Sequence, residues 1–134
     1  MQSDEQTIDE LTAQFFGAFT NRGGIAPDVD RLYRLFAPDA RIIRNAGGSA
    51  QTYDVTSFVE PRRALLSDGS LVDFCEEEVR ADTDVFGNIA HRFSRYRKTW
   101  TASGERCEGH GAKSLQFVRT PAGWKIASLL WDDA

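Results

Sequence analysis

The sequence predicts an α+β fold in which three N-terminal helices pack on a strongly curved antiparallel meander sheet. Three observations carry this. Apolar residues recur at helical spacing in the first half of the chain, and from Leu71 onward the period changes to two and stays there. The links "FGN", "ASGE" and "TPAGW" between the later segments are too short to cross over a sheet, so consecutive strands run antiparallel. Helices followed by a sheet is the layout in which helices cover one sheet face.

Ser3 followed by Gln6 has the form of a capping box, and Ile8, Leu11, Phe15, Ala18 and Phe19 give the first helix one apolar stripe until "NRGG" stops it. A second, short helix starts near Pro27 and Asp28 with Val29, Leu32, Leu35 and Phe36 on one face. It ends before Pro38, because the residue preceding a proline resists the helical region. "DARIIRN" reads as a brief strand, "AGGS" as its turn, and Tyr53 lies on the returning strand. Asp54 caps a third helix, "VTSFVEPRRALLSDG", where Pro61 predicts a kink or restart. Four strands follow, over 71–86, 89–101, 108–119 and 124–131.

With 134 residues, 41% of them hydrophobic, nine phenylalanines and three tryptophans, the chain has the material for one core, and residues 1–134 read as a single domain. A net charge of −4 leaves no long-range positive field to concentrate nucleic acid, so no nucleic-acid partner is expected. The start "MQSDEQ" has neither the basic nor the apolar segment of a secretory signal, and no apolar run approaches a membrane span. The expected setting is the cytoplasm, with no membrane partner. Cys75 and Cys107 lack metal or redox spacing and read as free thiols rather than a disulfide; no metal site and no cofactor are expected.

The order helix, helix, short strand, helix, four-stranded meander resembles the nuclear transport factor 2-like superfamily, the cone fold shared with ketosteroid isomerase, scytalone dehydratase and SnoaL-type cyclases. "LYRLFAPDARII" is similar to that superfamily's second helix running into its first strand, "FGNIAHRF" to its central hairpin, and "TPAGWKIASLLW" to its last one. The resemblance implies a conical pocket between sheet and helices, with acids and bases on its walls in the enzymes. The isomerase pattern itself is not kept. Ile43, Arg44 and Asn45 stand where its general-base aspartate would fall, and Phe15 and Phe16 where its oxyanion-holding tyrosine would. Steroid-type isomerisation is therefore not implied.

The strand "NIAHRFSRYRKTW" mixes cations with aromatics, and its faces decide what it does. A two-residue turn at Gly87 and Asn88 pairs Phe86 with Ile89. Counting outward, Val85, Thr83, Ala81, Val79, Glu77 and Cys75 fall opposite Ala90, Arg92, Ser94, Tyr96, Lys98 and Trp100 on the inner face. Asp84–His91, Asp82–Phe93, Arg80–Arg95 and Glu78–Arg97 then lie outside; a three-residue turn would change these pairings. His91 opposite Asp84 is either a base oriented by a carboxylate or a structural and interface histidine, and the register favours the latter. His110 has no assignable partner.

Arg92, Tyr96, Tyr53 and Ser128 are the candidate ligand-binding residues, and Glu77 and His91 the candidate catalytic ones. Glu77 with Lys98 is either an acid–base group whose pKa burial raises or a solvated sheet edge. "EEEV" and "RYRK" read as cross-strand charge partners. Phe86, Ile89 and Phe93 on the outer face call for cover, which predicts a homodimer. Three functions follow: a small-molecule binder for a hydrophobic or anionic ligand; a lyase, isomerase or cyclase acting on a small carbonyl compound; or an interaction module. The interior of the cone discriminates them.

Overall fold

The computed structural model describes residues 1–133. The first helix, α1 (Asp4–Gly17), is capped as its sequence predicts: Gln6 N donates to Ser3 Oγ at 3.1 Å and Ser3 N to Gln6 Oε1 at 2.8 Å. Its stripe of Ile8, Leu11, Phe15, Phe16, Ala18 and Phe19 is buried. Beyond it, Asn21 ties three elements together. Its Nδ2 donates to the carbonyls of Leu66 (2.9 Å) and Leu71 (2.7 Å), and its Oδ1 accepts from Phe74 N at 2.6 Å.

A 3-10 turn over Val29–Arg31 continues into α2 (Leu32–Leu35). Phe36 is already extended (φ −85°, ψ 145°) and opens β1 (Phe36–Arg44), so it belongs to the strand and not to the helix. Pro38 lies where the β1 ladder lapses between Phe36 and Arg41, as a residue without an N–H requires. β2 (Gln51–Tyr53) returns antiparallel on β1. In α3 (Val55–Ser67), Ser57 N donates to the Asp54 cap at 2.8 Å. The helix does not restart at Pro61 and runs on without a break. Pro61 and Ser57, whose carbonyl loses its partner, both face water.

The meander comprises β3 (Val72–Phe86), β4 (Ile89–Ala102), β5 (Glu105–Thr120) and β6 (Gly123–Asp132). The single sheet has the order β2-β1-β6-β5-β4-β3. It is mixed rather than wholly antiparallel, because β1 runs parallel to β6. The long stretch of chain between them imposes no direction, whereas the hairpin links do.

The Gly87–Asn88 turn has two residues, with Gly87 at φ 56°, and Phe86 pairs with Ile89. The predicted pairing holds as far as Arg80–Arg95. There a bulge at Val79 shifts the register, so that Glu78 faces Tyr96, Glu77 faces Arg97 and Glu76 faces Lys98. Glu76 and Glu78 therefore point inward and Glu77 outward, reversing the expectation. A second bulge at Ala127 of β6 sets Phe117 against Ile126 and Gln116 against Ser128.

Cys75 and Cys107 are free thiols. Among the described residues no helix is long and apolar enough to cross a membrane.

Candidate functional site

The concave sheet face, roofed by α1 and α3, encloses a half-open cavity of about 490 Å³. Phe19, Phe58, Leu66, Phe74, Trp100 and Trp131 supply its apolar walls. Arg44, Arg62, Lys98 and Lys113 face it together with Glu76 and Asp133.

Arg62 sits four residues after Phe58 and so shares the inward face of α3. Its guanidinium carbon lies 4.1 Å from the Phe58 ring centroid, 5.5 Å from Tyr53 and 5.4 Å from Trp131. The Tyr53 and Trp131 rings are near parallel, 15° apart with centroids at 6.4 Å. Arg62 Nη1 donates to the Phe58 carbonyl at 3.0 Å, and no carboxylate among the described residues pairs with it. Burial pushes its pKa below the usual arginine range and Arg44 adds repulsion, against the favourable influence of Tyr53 and Glu76. A guanidinium held by ring faces keeps N–H donors at its edge for an anion.

The polar side of the cavity rests on two glycines. Tyr96, 2% exposed, lies across β5 over Gly111 and donates its hydroxyl to Asp133 beyond β6. A Cβ on Gly111 would stand 2.6 Å from Tyr96 Cζ, and one on Gly109 would stand 2.9 Å from Lys98 Cε. Close approach, not a positive φ, requires glycine at Gly111, where the Asp132 carbonyl also stands in the way, whereas at Gly109 the flexible end of Lys98 could move aside. Lys98 Nζ is 3.4 Å and Arg44 Nη2 3.7 Å from Asp133 Oδ2. Burial pushes the Asp133 carboxyl up, but the Tyr96 hydroxyl with Lys98 and Lys113 outweighs it and holds the group below its ordinary range. Burial, with Asp133 beside it, drives the Tyr96 phenol well up, so it stays a proton donor.

Lys113, 5% exposed, sits 4.2 Å from the Tyr96 ring centroid and 2.9 Å from Glu76 Oε1. That approach has ion-pair distance without hydrogen-bond geometry, which leaves the buried Glu76 Oε1 with no hydrogen-bond partner among the described residues.

Of the residues singled out from sequence, Tyr53, Tyr96 and Lys98 line this cavity, and Arg92, Ser128, Glu77 and His91 do not. Arg92 is inward but fully engaged under α1. Its Nε donates to Glu78 Oε2 at 2.9 Å, and Nη1 to Asp9 at 2.6 Å and Thr83 at 2.8 Å. Ser128 is turned outward by the Ala127 bulge and donates to Gln116 at 2.8 Å. Glu77 faces out, 3.4 Å from Arg97. His91 is outside with Asp84 at 2.9 Å, both exposed. His110 has a partner after all, Glu108 at 2.8 Å. Of "EEE", only Glu77 meets "RYRK" on the outer face; Glu76 and Glu78 pair inward with Lys113 and Arg92.

Two of the cavity's cations, Lys113 and Arg44, were legible as breaks in apolar alternation. Lys113 precedes Leu115 and Phe117, and Arg44 follows Ile42, each two residues from an inward apolar side chain. Asp133 continues Leu129 and Trp131 in the same way.

No protein-family model matches the sequence, and no curated protein does. Solved structures do resemble the chain. The Kfla4162 protein of Kribbella flavida superposes with a TM-score of 0.79 at 17% identity, over 98% of this chain and 90% of that one. A nuclear transport factor 2-like superfamily protein of Salmonella enterica serovar Typhimurium gives 0.76 at 16%, over 96% and 89%. A Streptomyces avermitilis protein of the same family, provisionally named a dehydratase, gives 0.79 at 13%, over 98% and 97%. At these identities the likeness establishes the fold: the chain has the nuclear transport factor 2-like cone.

Proposed function

We propose that the cone binds a small organic anion with an apolar, flat body. The observation that carries this reading is Arg62, a partly buried guanidinium with three aromatic rings around it and no carboxylate partner among the described residues. Burying an unanswered charge is costly, and a ligand carboxylate offsets that cost while its body covers the apolar walls. Trp100 and Trp131 line the cavity, so tryptophan fluorescence reports occupancy. A naphthoate should quench it saturably, and its methyl ester, with the same body and no charge, should not. Equal response to acid and ester contradicts the reading.

A second reading, a lyase or isomerase acting on a small carbonyl compound, is favoured by one observation: Glu76 lines the cavity beside Lys113, and its buried Oε1 has no hydrogen-bond partner among the described residues. Glu76 would take the proton next to the carbonyl, and Lys113 would answer the charge developing on the carbonyl oxygen. The likeness to the Streptomyces protein supports it as an analogy of fold. Deuterium exchange next to the carbonyl of a bound ketone, lost in Glu76→Gln, is the test.

We also propose that the chain pairs with a second copy through the outer sheet face. Phe86 (84% exposed), Ile89 (61%) and Phe93 (46%) lie there together, beside a groove that Val85, Phe86, Ile89 and Val118 line.

A further inference from the structure

We infer that the anion this cavity takes carries two acid groups, one held by Arg62 and the other by Arg44 and Lys98. The inference rests on the anion-binding reading and narrows it to dicarboxylates with an apolar spacer. The charges facing the cavity are Arg44, Arg62, Lys98 and Lys113 against Glu76 and Asp133, a surplus of two positive charges. Lys113 is answered by Glu76 at 2.9 Å. Asp133 is shared: its hydrogen bond comes from the neutral Tyr96 hydroxyl, while Lys98 and Arg44 stand off at 3.4 Å and 3.7 Å. One carboxylate neutralises one of those two cations and leaves the other. Arg62 supplies the second unanswered charge.

These charges also belong to different walls. Arg62 projects from α3 onto Phe58 and Tyr53, whereas Lys98 projects from β4 beside Trp100, 5.9 Å from its centroid. A monocarboxylate neutralises one of the two surplus charges and leaves the other unanswered. Leu66, Leu71 and Phe74 line the cavity as well and offer apolar surface to a spacer.

The test compares three ligands with one body, a naphthalene dicarboxylate, its monomethyl ester and its dimethyl ester, by calorimetric titration into the full chain. Sebacate and its two esters form a second, flexible set. The diacid should bind at least about tenfold more tightly than the monoester in one set or both, with the diester weakest. Lys98→Met and Arg44→Met should each bring that ratio below about threefold, by weakening the diacid more than the monoester. A monoester as tight as its diacid in both sets overturns the inference and leaves the anion-binding reading standing. A diacid preference that survives both substitutions overturns it too. Failure of every acid to bind overturns both.

Discussion

Glu78 and Arg92 face each other on the inner side of the sheet because the bulge at Val79 shifts β3 by one residue against β4. Without that extra residue Glu78 would point outward at Arg97. With it, the carboxylate accepts from Nε and Nη2 of Arg92, and the guanidinium reaches on to Asp9 of α1. The pair anchors helix to sheet under one end of the cone, away from the cavity.

Arg92→Met should therefore act on folding and not on binding. Removing one partner leaves Glu78 with an uncompensated, mostly buried charge, at a cost of about 3 kcal/mol. Urea unfolding should record that loss, while naphthoate affinity stays within about twofold of wild type. An unchanged midpoint with weakened binding would place Arg92 in the site.

The fold was legible in the sequence because its signals are local: the Ser3–Gln6 box, the period change at Leu71, and the Gly87–Asn88 turn that sets the hairpin register. The single-residue bulges of the meander were not legible, and two of them move candidate residues. Val79 and Ala127 look like ordinary strand residues, and each reverses the facing of its neighbours, which is why Glu77 and Ser128 were expected inside and lie outside. Arg62 was hidden for another reason. A cation on the apolar face of a helix reads as a snorkelling surface residue until the rings of Tyr53 and Trp131, from other elements, are seen to meet it.

Gly111→Ala should lower stability by about 1–3 kcal/mol, because its Cβ would meet the Tyr96 ring and the Asp132 carbonyl. Part of that cost should vanish in a Tyr96→Ala background, where the ring is gone and the carbonyl contact remains. A double-mutant cycle from thermal melts measures the coupling. Zero coupling would contradict the placement of Tyr96 over Gly111.

Burial of Tyr96 and its bond to Asp133 give stability two pH edges. The folded-state pKa of Asp133 lies below its ordinary value of 3.8, so its contribution is present above that value and is lost as pH falls through the folded pKa. The pKa of Tyr96 is raised above 10.0, so its contribution is present below pH 10.0 and is lost as pH rises beyond it. Melting curves should show that Asp133→Asn lacks part of the acid loss and Tyr96→Phe part of the alkaline loss. Profiles parallel to wild type in both variants would refute the bond.

Phe93→Glu should convert a dimer into a monomer by light scattering at micromolar concentration, because it sets a charge at the centre of the proposed outer-face contact. The cavity lies on the other side of the sheet, so naphthoate binding should persist. A wild-type chain that is already monomeric contradicts the pairing.

Arg62→Met tests the central claim most directly, since it keeps the bulk of the side chain against Phe58 and removes only the charge and its donors. Calorimetric titration of a naphthoate into wild type and variant, with thermal melts as the folding control, is the measurement. The account predicts similar melting temperatures and an affinity at least about tenfold weaker in the variant. Equal affinity in the two proteins, or no binding to wild type, would contradict it.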